Sequence, residues 1–145
     1  MGLDSINLDD VQVSQDFGYA KAGNYRLRVA EIKADSDAKG RETISVRHEF
    51  VDPANIEIVG GQTLGGLFNT LYISGTTNDK ACLSILRRFV EAHGITWDAF
   101  KSNRDLQQFQ GLEADAYVTY ETNNGKTGEP LKHPRNSVNK YLITK

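Results

Sequence analysis

Between Gly23 and Lys33 the chain reads Gly-Asn-Tyr-Arg-Leu-Arg-Val-Ala-Glu-Ile-Lys. Tyr25, Leu27 and Val29 alternate with Arg26 and Arg28, the period of two that sends successive side chains to opposite faces of a strand. Gly23 and Asn24 punctuate its start, and the acidic, turn-rich segment Ala34–Gly40 ends it. The alternation slips at Ala30–Ile32, which predicts a β-bulge and a bend. A long first strand that bends, apolar on one face and bearing arginines on the other, points to a small closed barrel.

The later elements keep to that pattern. Thr43–Val51 alternates again, with Ile44, Val46, His48 and Phe50 on one face and Thr43, Ser45, Arg47 and Glu49 on the other, so it forms a hairpin with the first strand. A loop from Asp52 to Gly61 leads to a third strand, Gln62–Ser74, interrupted by Gly65-Gly66. That glycine pair lacks the lysine and the helix start of a phosphate-cradling loop. The period then changes. Thr77 or Asn78 caps a helix whose stripe is Leu83, Leu86 and Val90, flanked by Ile85 and Phe89, with Gly94 as its stop. Ile95–Gln110 is a connection anchored by Trp97 and Phe100, then by Leu106 and Phe109. Gly111–Glu121 is a fourth strand, Thr122–Pro134 a long polar loop, and Arg135–Thr144 the last strand.

Three strands, a helix and two strands make an all-β fold with one inserted helix. That is the order of the five-stranded OB-fold barrel, whose helix lies between strands 3 and 4. A β-sandwich with an inserted helix gives the same order. Residues 1–22 read as an extended acidic arm, and 23–145 as a single OB-fold-like domain.

Charge and composition then narrow the chemistry. The formal net charge of the 145 residues is −2, unevenly spread. Residues 1–22 carry a net of −3, from Asp4, Asp9, Asp10 and Asp16 against Lys21. Residues 122–145 carry +4, from Lys126, Lys132, Arg135, Lys140 and Lys145 against Glu129. No apolar run is long enough to span a membrane, and Met1–Asp10 lacks the features of a signal peptide. Cys82, the lone cysteine, excludes an intrachain disulfide, fits the reducing cytoplasm and reads as a packed core thiol. His48, His93 and His133 lack zinc spacing, and no serine or cysteine sits in a nucleophile elbow, so neither an enzyme nor a cofactor or metal site is expected.

What remains is cations interleaved with aromatic rings. Arg26, Arg28, Arg41 and Arg47 lie on or beside the outward phase of the first two strands, with Lys39 in the turn between them. Lys126, Lys132 and Arg135 belong to the loop before the last strand and its first residue, and Tyr72, Tyr117 and Tyr141 are candidate outward rings. Rings of this kind stack unpaired bases of any sequence while cations neutralise phosphates.

Short motifs add a family resemblance. Phe17, Gly23-Asn24-Tyr25 through Val29-Ala30-Glu31, Lys39-Gly40-Arg41, Phe50-Val51-Asp52, Gly66 to Leu71, Ala92-His93-Gly94-Ile95 and Asn136-Ser137-Val138-Asn139-Lys140-Tyr141 together resemble one group of phage single-stranded-DNA-binding proteins. Two features depart from that group: Leu112-Glu113-Ala114 lacks its glycine, and the chain ends Ile143-Thr144-Lys145 without its acidic tail. The resemblance implies an OB fold and a non-catalytic, sequence-independent protein that protects or presents single-stranded DNA in phage replication or recombination. It implies the host cytoplasm as location, and replication or recombination proteins of phage or host as partners; the sequence itself does not set the oligomeric state. The alternative is a phage accessory or structural module that uses the same barrel for protein–protein contact.

Overall fold

A computed structural model describes residues 3–9, 17–61, 63–74, 79–123 and 128–143. It holds eight strands: β1 (Phe17–Ala20), β2 (Gly23–Ser36), β3 (Glu42–Phe50), β4 (Ile58–Val59), β5 (Thr63–Leu64), β6 (Leu67–Tyr72), β7 (Glu113–Asn123) and β8 (Pro130–Leu142). Two α-helices, α1 (Asp79–Ala92) and α2 (Trp97–Ser102), lie between β6 and β7. The main sheet is antiparallel with order β6-β3-β2-β7-β8. The fold is mostly β, with few helices.

β2 is the central strand, and one residue governs its geometry. Leu27 faces Phe50 and Val29 faces His48, but beyond the bulge Glu31 faces Arg47 and Ile32 faces Val46. Ala30 is the extra residue. It switches the parity of the strand, so Leu27, Val29 and Ile32 all reach the core although their numbers change from odd to even. The bulge expected at Ala30–Ile32 is therefore present. Around it β2 is held from the other side, where the Val29 amide bonds the Leu112 carbonyl at 2.9 Å and the Gly111 amide bonds the Val29 carbonyl at 2.8 Å.

The expected closed barrel is not formed: among the described residues no hydrogen-bonded ladder joins β6 to β8. Side chains span this seam instead. The Asn69 amide donates to the Tyr141 hydroxyl at 2.8 Å, and that hydroxyl lies 2.7 Å from His48 Nε2. α1 packs over the seam with Leu86, Phe89 and Val90 buried. Its stripe is rotated from the one expected, because Leu83 and Ile85 are exposed while Phe89 is fully buried among His93, Phe109 and Tyr141. Gly94, at φ +85°, ends α1 as expected; its amide bonds the Glu91 carbonyl and the Ile95 amide bonds the Val90 carbonyl. Thr96 then caps α2, accepting from the Ala99 amide at 3.1 Å.

Three other boundaries differ from the sequence reading. β2 runs to Ser36, leaving only a tight turn in which Asp37 Oδ1 accepts the Lys39 and Arg41 amides at 2.9 Å each. β8 starts at Pro130, so most of the presumed loop 122–134 is strand; prolines are tolerated there because β8 is an edge strand. The end of the presumed arm is also part of the fold, since β1 pairs with β4 and β5 in a small second sheet. The buried Asn136 side chain fastens β1 to the main sheet, accepting from the Ala20 amide at 2.8 Å and donating to the carbonyls of Ala20 at 2.9 Å and Thr119 at 3.1 Å. Cys82 is half-buried rather than packed in the core.

The buried histidines bring a pH dependence. Burial, then the charge of His93, pushes His48 down to about 3, with the backbone of Arg28 opposing weakly. Burial likewise lowers His93, whose Nδ1 bonds the Phe89 carbonyl at 2.7 Å. His48 Nδ1 and His93 Nε2 lack a well-formed hydrogen bond. His48 thus stays neutral in the folded state well below the range where a free imidazole charges, and His93 also takes up its proton less readily folded than unfolded, where both titrate near pH 6.5. Stability should therefore be greatest above that pH and fall on acidification, by about 1.4 kcal/mol per pH unit from His48 until it levels near pH 3, with His93 adding to the fall in the same direction. Urea melts across this range test it, and a folded His48→Gln variant should lose one proton's worth of slope. A second prediction concerns Asn136→Ala, which removes the side-chain partner of the buried Ala20 N–H and carbonyl. It should cost about 1–3 kcal/mol, seen as a lower melting temperature.

Candidate functional site

The outward face of the main sheet gathers most of the predicted site residues. From β2 it takes Arg26 and Arg28 before the bulge, then Glu31, Lys33 and Asp35 after it. β3 adds Ser45, Arg47 and Glu49, and β6 adds Phe68, Thr70 and Tyr72. On the other side lie Glu113, Asp115, Tyr117, Thr119 and Glu121 of β7 and Arg135 and Lys140 of β8.

Alternation places a carboxylate beside each strand-borne arginine. Arg26 meets Glu113 and Asp115, both at 3.3 Å. Arg28 meets Glu49 at 3.1 Å and Glu113 at 3.5 Å. Arg47 lies 3.6 Å from Glu31, and Arg135 lies 3.5 Å from Glu121. Arg26, Arg28, Lys33, Arg47, Arg135 and Lys140 are thus matched by Glu31, Asp35, Glu49, Glu113, Asp115 and Glu121, and the face is charge-balanced. These pairs are solvent-exposed, so each contributes at most about 1 kcal/mol and a phosphate can replace the carboxylate at little cost.

The aromatic residues separate more sharply. Phe68 is 65% exposed, directly across the ladder from Arg47. It borders a groove of about 410 Å³ shared with Glu31, Lys33, Asp35, Ser45 and Arg47. Phe68 is absent from the residues proposed from sequence because apolar side chains stand in both phases of the third strand. The signal was the spacing of Leu67 and Leu71, which are both buried and so turn Phe68, Thr70 and Tyr72 outward. Tyr72 is outward but half-buried, with the Arg41 guanidinium 4.8 Å over its ring. Arg41 is itself tied to Asp37, whose carboxyl is held below the usual range chiefly by the Arg41 amide. Lys39 is exposed at the tip of the same turn.

Tyr117 is 38% exposed and lies opposite Lys140. Three strand spacings of about 4.8 Å put its strand about 14 Å from that of Phe68. Tyr141, expected to face outward, points inward and is 3% exposed. The physical reason is a register shift in β8: Val138 faces Val118 while Lys140 faces Tyr117, so Asn139 is an extra residue and the parity switches. Asn136, Val138 and Tyr141 thereby share the inner face, which accounts for their uneven spacing. Lys126 lies outside the described residues. Lys132 belongs to β8, but its side chain also lies outside them.

A family model matches residues 6–141, nearly the whole chain, under the description protein of unknown function (DUF669). The chain belongs to the DUF669 family. No curated protein matches it. In this DUF669 chain, no three histidine, cysteine, aspartate or glutamate side chains among the described residues are grouped to hold a metal ion. No helix among them is long and apolar enough to cross a membrane.

Gly66 sets the position of the Phe68 ring in this DUF669 chain. A Cβ at residue 66 would lie 2.7 Å from Phe68 Cε2. Gly66→Ala should therefore displace the ring while leaving stability within about 0.5 kcal/mol, because the exposed ring is free to swing away. Side-chain NMR of Phe68 together with a thermal melt checks both halves. An unmoved ring would mean that Gly66 does not position it.

Proposed function

We propose that the chain is a non-catalytic single-stranded-DNA-binding protein of the OB type, reading no particular sequence and using the outward face of β2, β3 and β6. The observation that carries this reading is the exposed Phe68 ring beside Arg47 and the groove bordered by Lys33. A stacking platform next to cations suits an unpaired base and its phosphate. Tyr117 and Lys140 repeat the ring-and-cation pairing further along the face. The open sheet order β6-β3-β2-β7-β8, with helices between β6 and β7, also supports an OB relationship. A role in phage replication or recombination, in the host cytoplasm, follows from the motif resemblance alone.

The charge balance modifies the expected energetics. Lys33, Lys39 and Lys140 have no ion pair among the described residues, so about three phosphates are neutralised without displacing a carboxylate. The slope of log affinity against log salt should then be about −2, shallower than for a strongly basic groove. The reading is tested by fluorescence anisotropy of a labelled poly-dT oligomer. Phe68→Ala should weaken binding by about 1–3 kcal/mol with the salt slope and melting temperature unchanged. Full binding by a folded Phe68→Ala protein would remove this face as the site. A second reading, a protein–protein module, is favoured by the charge balance itself; absence of any poly-dT binding at low salt would select it.

A further inference from the structure

α1 has an apolar edge that the sheet does not cover. Leu83 is 41% exposed and borders a groove of about 480 Å³ between α1, α2 and the neighbouring strands. Ile73, Trp97, Phe100 and Leu106 line it, with Lys101 and Arg104 among its cationic residues. The Arg104 guanidinium has no ion pair among the described residues; its Nε bonds the Lys101 carbonyl at 3.3 Å. Among the described residues Lys101 pairs with the exposed Asp98, at 2.9 Å, a pairing of little strength in water. Apolar side chains flanked by carboxylates would complement this surface.

The chain itself contains such a segment. Asp4 and Asp9 flank the apolar Ile6 and Leu8, which are 57% and 56% exposed. We propose that the groove of one molecule receives the Leu3–Asp9 segment of a second copy. Ile6 and Leu8 enter the apolar floor, and Asp4 and Asp9 meet Lys101 and Arg104. Reciprocal exchange gives a two-fold dimer, and one-way donation gives a row of copies. This contact lies apart from the Phe68 face and does not depend on what that face binds.

Trp97, the sole tryptophan, lines the groove and reports on its occupancy. Sedimentation velocity of the full chain at rising concentration should show self-association, accompanied by a shift in Trp97 emission. Two variants should each raise the dissociation constant at least about tenfold: Ile6→Ser with Leu8→Ser, which loses the anchors, and Leu83→Glu, which places an acid in the groove. Circular dichroism should find both folded, since all three positions are exposed. Mixing the two variants should restore association, because one keeps its groove and the other its segment. A monomer at every concentration would overturn the proposal, as would association that neither variant weakens or a mixture that fails to associate. Loss of the Trp97 shift in a segment variant of a protein that is always monomeric would show each segment seated on its own groove, which also overturns it.

Discussion

The extra residue in β2 is the constraint on which the rest of the molecule depends. Were Ala30 paired in the ladder rather than bulged out of it, the strand would keep one parity, and either Leu27 and Val29 or Ile32 would be turned to water. With it, the first half of β2 pairs with β7 and the second half with β3, and both halves present apolar residues to one core. The same shift aligns Arg26 and Arg28 with Glu31, Lys33 and Asp35 on the outward face. Core and surface are therefore set by one local irregularity.

The outward face combines two qualities that are usually discussed apart. Its charges cancel in place, which keeps the free surface from attracting anions indiscriminately at long range. Its rings, Phe68 and Tyr117, remain accessible. A face built this way discriminates at short distance, where a planar group can be stacked, more than it steers at long distance. That is a coherent design for a chain whose net charge is −2.

How much of this was legible in the sequence depended on whether the alternation was clean. β3 and β7 were located because their apolar residues keep period two between clear breaks, β2 because it does so up to Val29, and α1 because Gly94 stops it. The bulge at Ala30 showed as a slip between two apolar sets. The equivalent shift at Asn139 did not show, because Tyr141 is both apolar and polar and fits either face by composition. Phe68 was hidden for the opposite reason: Leu67 and Leu71 on one face and Phe68 and Tyr72 on the other are all apolar, with one polar residue, Asn69 or Thr70, on each, so composition does not separate the two faces. The charge pairing across strands was out of reach, since it depends on register between segments up to about ninety residues apart in sequence.

The seam between β6 and β8 leaves two strand edges facing each other without a ladder. Exposed edges recruit strands from other molecules, the usual route to aggregation in sheet proteins. Here α1 lies across the gap, and its Arg88 donates to the Tyr141 carbonyl at 3.2 Å, occupying one edge acceptor directly. The helix is thus a guard as well as a packing element. Damage to α1 would carry a solubility penalty beyond the stability it removes.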